Sequence, residues 1–378
     1  MLLSYKIENF KSFKNTTEFS LRKTNYKMLT DTNTLGKAVK GLMYVGANAS
    51  GKSNSLIALK FLLDCLFGRN DIDFGKYKCL FSSEPVMSLN YIFDIDGTEI
   101  CYNIAYEFTQ KKCDELLLVN SEEILKREGA SAYAKINDLK TYADIPANIL
   151  FLRDIYFNTK FRGNEILQKW FDFLSNSIYI DMYKRNAILY RDITLDIKDY
   201  LENNGADTIN NFFKEYGFKQ RIEYSKSSHG DIIHAEADEK RIWFKRENIA
   251  EPIPMEWESL GNRLMLTLLP SFFHCIKEGG LLLIDEFSSG FHNELEELLI
   301  RYFMRNAQDS QVIFVSHSTN LLSNSILRPD QIYSVDFDAD GSKINRFSNE
   351  KPREAQNLEK MYLSGIFNGV PNYEYRPK

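Results

Sequence analysis

Apolar and polar positions alternate along "LLSYKIENFKSFKNTTEFSL" near the start of the chain, in stretches bounded by polar turn residues, and this pattern predicts the two strands of a hairpin. After a polar connector, the apolar run "GLMYV" (41–45) predicts a buried strand. It leads into "GANASGKSNS", and residues 53–67 carry apolar side chains at helical spacing, so the glycine-containing stretch lies between a strand and a helix. Alternation returns from about 86 to 119, with Asp96-Gly97 as a tight-turn signal, and predicts a small antiparallel meander. Residues from about 146 to 226 read as mainly helical, with "NEILQKWFDFLSNSIYI" and "DTINNFFKEYGF" as the clearest pieces. After about 250, "SLGNRLMLTLLPSFFHCI" predicts a helix, "GGLLLIDEF" a buried strand, "NELEELLIRYFMR" a helix and "SQVIFVSHS" another buried strand.

An α/β core split in sequence follows from this order. The expected organisation is an N-terminal part of the core over 1–145 (hairpin, loop and β meander), a mainly helical insertion or arm over 146–250, and a C-terminal part over 251–378. No repeat, low-complexity tract or sustained heptad pattern interrupts it, which excludes a long coiled-coil arm.

Composition narrows the setting. With 378 residues, 44% of them hydrophobic, the chain can bury a substantial core, and a net charge of −5 argues against a protein held to nucleic acid by bulk charge. The five cysteines show no CxxC pairing, which fits reduced thiols and a cytoplasmic location. His229, His234 and His274 lack a second ligand pair at zinc spacing. Charged residues Lys6, Glu8 and Lys11 interrupt any signal-peptide core, and no apolar run reaches the ~18 residues of a membrane span, so no membrane partner is expected.

The candidate chemistry begins with the match to G-x-x-x-x-G-K-[ST] over Gly46–Ser53. Its glycines let backbone N–H groups turn around phosphate oxygens, Lys52 supplies a point charge for the outer phosphates, and Ser53 can ligate Mg²⁺. Gly46, Ala47, Asn48, Ala49, Ser50, Gly51, Lys52, Ser53 and Asn54 are therefore the candidate residues for binding ATP, with the following helix adding its dipole. In "LLLIDE", Asp285 emerges at the end of a buried strand, where it can hold magnesium, and Glu286 is next along to orient or deprotonate water. "VIFVSHS" delivers His317 to a strand end, from which a ring nitrogen can reach a γ-phosphate. Taken singly, a strand ending in acids and a histidine at a strand end are ordinary surface features. Their order behind the loop is what gives them a role. "ESLGNRL" places Ser259 and Gly261 at a helix start, an anion-binding position as well as a plain N-cap.

Together "NFKSF", "GANASGKS", "ESLGNR", "LLLIDE" and "FVSHS" resemble the ABC-type ATPases of the SMC, RecF and OLD branch, in the compact bacterial AAA family form. The ending "LEKMYLSGIFNGVPNY" resembles the tail of RloA-like phage-defence ATPases. The resemblance implies a P-loop NTPase head with an antiparallel β lobe and a mainly helical insertion, hydrolysing ATP with Mg²⁺. It implies a homodimer or higher oligomer in which each ATP is clamped between the loop of one copy and Ser259, Gly261 and Arg263 of the other. In that arrangement "FSSGFHNEL", with Ser288, Ser289 and His292, is the dimer-facing loop. Its signature reads "SLGNR" in place of the fuller Ser-Gly-Gly form, and no glutamine-containing coupling loop is assigned. The implied setting is anti-phage defence beside a separately encoded effector.

Two other functions stand against this reading. A RecF-like repair clamp would bind DNA, or RNA in a related use, through Lys160, Arg162, Lys184, Arg185, Lys219 and Arg221, although scattered cations on a helical insertion are usually a solvated face. A self-contained nuclease would use Asp336 and Asp338 of "SVDFDADGS", but their alternation with apolar residues into Asp340-Gly341 predicts a structural hairpin.

Overall fold

The computed structural model describes residues 1–68, 70–136, 138–191, 195–290 and 292–371. The chain opens with β1 (Leu2–Glu8), β2 (Thr17–Ser20), α1 (Thr30–Asn33), β3 (Thr34–Leu35), β4 (Ala38–Val39), β5 (Gly41–Gly46) and α2 (Lys52–Phe67). Then follow β6 (Val86–Ile95), β7 (Thr98–Glu107), β8 (Lys112–Val119), β9 (Glu122–Glu128), β10 (Ser131–Lys135), β11 (Leu139–Tyr142), α3 (Phe151–Thr159), α4 (Glu165–Ser175), β12 (Ile178–Asp181) and β13 (Asn186–Leu189). The remainder comprises α5 (Ile197–Asn204), α6 (Asp207–Glu215), β14 (Gln220–His229), β15 (His234–Arg246), β16 (Ile249–Pro254), α7 (Leu260–Glu278), β17 (Gly280–Asp285), α8 (Asn293–Asn306), β18 (Ser310–Val315), β19 (Ile332–Asp338), β20 (Gly341–Arg346) and α9 (Leu358–Leu363).

These elements form two compact units. The larger takes residues 1–191, 275–289 and 293–378, and the smaller takes 192–274 and 290–292. In the larger unit a seven-stranded sheet has the order β13-β12-β17-β18-β5-β19-β20, parallel from β12 through β19 and closed at each edge by an antiparallel strand. β5, β17 and β18 are buried along their whole length, which is why they read as continuous apolar runs. An eight-stranded antiparallel sheet, β11-β10-β9-β8-β7-β6-β1-β2, forms the second layer. Its strands alternate buried and half-exposed residues, as β6 does from Val86 to Ile95.

The opening hairpin is present: β1 pairs antiparallel with β2, and the corner "NFKSF" closes with reciprocal backbone bonds between Phe10 and Phe13, both buried. Asn9 and Lys11 adopt left-handed backbone there, which turns Ser12 toward the glycine-rich loop. The hairpin expected at 334–342 is also present, with Asp338 opposite Gly341. Asp336 and Asp338 are exposed, and Asp338 pairs with Lys343.

The pattern was incomplete in three places. The meander runs past 119 through β9, β10 and β11 to Tyr142. The segment expected as one helix over 164–180 ends at Ser175, and Ile178–Asp181 becomes β12 in the parallel sheet. Ser175, Asn176 and Ser177 compete for the backbone through their own side chains, and Ser177 Oγ accepts the Leu281 N–H, stitching the helix end to β17. The span 146–250, expected to be mainly helical, also carries the antiparallel β14-β15-β16 sheet of the smaller unit, whose "QRIEYSKSSH" pairs with "HAEADEKRIWFKR". Among the described residues no helix is long and apolar enough to cross a membrane.

Candidate functional site

The loop 46–53 leaves β5 at the centre of the parallel sheet and enters α2. Gly46 is held so close to β19 that an added Cβ would meet the Val335 carbonyl oxygen at 2.2 Å, so this position requires glycine. At Gly51 (φ 108) a Cβ would meet Ser342 Oγ at 2.1 Å. Behind the loop, Ser342 Oγ donates to the Ser50 carbonyl (2.7 Å) and shares a 2.6 Å hydrogen bond with Ser12 Oγ. Asn54 Nδ2 donates to the same Ser12 oxygen at 2.8 Å. Segments 330 residues apart thus fix the curvature of the loop from the rear.

Lys52 is buried, and its ammonium donates to the carbonyls of Gly46 (3.0 Å) and Ala47 (2.7 Å). Burial lowers its pKa, while Glu286 and Asp285 oppose that shift. Ser50 Oγ is buried with no hydrogen-bond partner, a polar atom in the loop that a phosphate oxygen would satisfy. Ala47, Asn48 and Ala49 form the outer bend, with Ala49 in left-handed backbone (φ 62).

Three strand ends converge beside this loop. Ser53 Oγ donates to Asp285 Oδ1 at 2.9 Å, joining the two candidate magnesium ligands across 232 residues. Burial raises the Asp285 carboxyl above its usual range, and the carboxylates of Glu286 and Asp181 add to the effect against the Ser53 hydrogen bond. A divalent cation would relieve that accumulation of negative charge, so the donor set fits Mg²⁺. Glu286 takes left-handed backbone (φ 56), uncommon for a residue with a side chain, and its Oε2 lies 3.6 Å from His317 Nε2. Burial lowers the His317 pKa and Lys52 lowers it further, outweighing Glu286. The His317 backbone N–H donates to Ser288 Oγ (3.2 Å), and Ser289 N–H closes onto the Glu286 carbonyl (2.9 Å).

Asp181 was hidden in the sequence by the segment read as helix. It ends β12 in register with Asp285 of the adjacent parallel strand. Lys184 balances it, with its ammonium 3.0 Å from Asp181 Oδ2. The only sequence signal was the short β-branched and aromatic run "IYID" behind Ser-Asn-Ser.

The smaller unit carries Ser259, Gly261 and Arg263. Ser259 is exposed and caps α7, its Oγ accepting the Asn262 N–H at 3.3 Å. Buried Glu258 anchors this helix start: its carboxylate accepts from Arg246 (2.7 Å), Asn262 Nδ2 (2.8 Å) and Ser259 N–H (3.1 Å). Against its burial, these donors hold the Glu258 carboxyl below the usual range. Gly261 is half-buried, and Arg263 Nε is buried without a hydrogen-bond partner. His292 belongs to this unit, while Phe291 of "FSSGFHNEL" and Asn372 and Tyr373 of the tail lie outside the described residues.

Residues 45–323 match the protein family described as "AAA domain, putative AbiEii toxin, Type IV TA system". No curated protein matches the chain. Among solved structures, the SMC head domain from Thermotoga maritima is 14% identical, with a TM-score of 0.50 over 91% of this chain and 97% of that one. An SMC head bound to the C-terminal winged-helix domain of ScpA gives 14% identity and a TM-score of 0.53, with the same coverage. At this identity the likeness is one of fold: an ABC-type P-loop head.

Proposed function

Because the chain belongs to this AAA-domain family, we propose that it binds MgATP in the 46–54 loop, hydrolyses it with Glu286 and His317, and pairs with a second copy around the nucleotide. The observation that carries the reading is the convergence of Lys52, Ser53, Asp285, Glu286 and His317 at one edge of the parallel sheet, with Ser53 already bonded to Asp285. Backbone N–H groups of the loop and Lys52 hold the phosphates. Ser53 and Asp285 would hold Mg²⁺, which supplies charge neutralisation on the phosphate oxygens. Glu286 accepts the proton of the attacking water, and His317 donates toward the γ-phosphate. A lowered pKa keeps His317 neutral near pH 7, so one ring nitrogen can accept from a neighbour while the other donates.

Ser259, Gly261 and Arg263 complete the site from the second copy in this reading. Three properties suit them to it: an exposed Ser259, a rigid Glu258 anchor and an arginine Nε without a partner. The fold shared with SMC heads supports the same pairing. The family description, which names a putative AbiEii toxin of a type IV toxin–antitoxin system, supports a toxin–antitoxin setting with a separately encoded partner; anti-phage defence in the cytoplasm is the form of that setting proposed for this chain.

A built-in reporter tests the pairing. Of the three tryptophans, Trp170 and Trp243 are buried, whereas Trp257, two residues before Ser259, is 81% exposed. MgATP added to the Glu286→Gln chain is expected to double the mass in light scattering and shift tryptophan emission to the blue. The shift should be absent in a Trp257→Phe background. A chain that stays monomeric at saturating ATP would overturn the pairing.

A further inference from the structure

We infer that Glu296 is a positioning residue for His317, its buried carboxyl group holding Ser316, whose hydroxyl oxygen in turn holds the backbone of Ser318 on the other side of the histidine. This rests on the ATPase reading above and names a residue that reading does not use.

Glu296 lies in the first turn of α8 and is 0% exposed, unlike its exposed neighbour Glu294. Ser316 Oγ donates to Glu296 Oε2 at 3.5 Å. The two serines are themselves joined, Ser318 N–H donating to Ser316 Oγ at 3.0 Å. His317 sits between them, its backbone N–H on Ser288 and its ring facing Glu286. Holding Ser316 and the Ser318 N–H fixes the His317 backbone between them, so its side chain leaves the strand end in one direction.

The protonation of Glu296 agrees with this role. Burial raises its pKa, against the serine hydrogen bonds, and Oε1 has no hydrogen-bond partner. An ionised carboxylate at such a site carries a large desolvation cost. Either protonation state accepts the Ser316 hydroxyl at Oε2. A salt bridge is not what keeps it there: no cation is paired with Glu296 among the described ion pairs. A hydrophobic side chain would fill the space but release Ser316.

The test uses the full chain, with kcat and KM for ATP measured beside thermal melting. Glu296→Ala is expected to lower kcat by about tenfold or more, as misplacement of a catalytic group does, with KM for ATP nearly unchanged. Glu296→Gln, neutral and able both to donate and to accept, is expected to restore most of the rate. Glu296→Ala added to His317→Ala should cost little more than His317→Ala alone, because residues that act as a unit are not additive. Should Glu296→Ala fail to fold, Ser316→Ala is expected to reproduce the kcat loss. Wild-type kcat in a folded Glu296→Ala protein, or full additivity with His317→Ala, overturns the inference. A wild-type chain that hydrolyses no ATP overturns the ATPase reading instead.

Discussion

Glu286→Gln is expected to lower ATP turnover by about 10²–10⁴-fold, the range associated with loss of a positioned general base, while leaving nucleotide binding intact. The substitution keeps the shape and the left-handed backbone at this position, so the peptide strain is the same before and after. It removes only the capacity to accept a proton. Lys52, Ser53 and Asp285, which the reading assigns to the phosphates and the metal, retain their bonds to the loop and to each other. The Glu286–His317 contact at 3.6 Å loses its charge, yet an amide can still accept from Nε2, so folding stability should change within about 0.5 kcal/mol, as for other half-exposed sites. Single-turnover phosphate release and equilibrium binding of a fluorescent ATP analogue separate the two quantities. Hydrolysis at the wild-type rate would remove Glu286 from the base role. Loss of binding together with turnover would make it part of the phosphate cradle instead.

The parts of this site that could be read in advance are those written in contiguous residues. "GLMYV" before "GANASGKS", and "LLLI" before Asp285 and Glu286, each carry a buried strand and its terminal chemistry in one short string. Parallel pairing of β17, β18 and β5 then brings the string ends to a common edge. Asp181 was not legible, because the three apolar residues Ile178, Tyr179 and Ile180 after a helix look like its continuation until the strand they pair with is known. The same holds for Ser12 and Ser342, which meet behind Ser50 across most of the chain, and for Glu296, whose burial no local pattern marks. In the smaller unit, β15 is exposed along much of its length, so alternation there is weak, and pairing with β14 supplies what the pattern lacks.

Lys52→Ala is expected to have the opposite profile from Glu286→Gln, abolishing binding and turnover together. The Lys52 ammonium is buried, and its hydrogen bonds go to the carbonyls of Gly46 and Ala47. Phosphate oxygens are better acceptors for a desolvated cation than peptide carbonyls are, which gives Lys52 a reason to exchange partners when nucleotide arrives. Removing one member of a buried, hydrogen-bonded charge pair costs about 2–5 kcal/mol, so ATP affinity should fall by ~30-fold or more. The apo protein should lose little stability, because the desolvation that lowers the Lys52 pKa is a cost the alanine does not carry, and it offsets the two lost carbonyl bonds. Melting with and without nucleotide reads both effects. MgATP at about a hundred times its dissociation constant stabilises the wild-type chain by about 2.7 kcal/mol, and the same concentration should leave the Lys52→Ala midpoint nearly unmoved. An equal rise in both chains would mean that the nucleotide is held elsewhere.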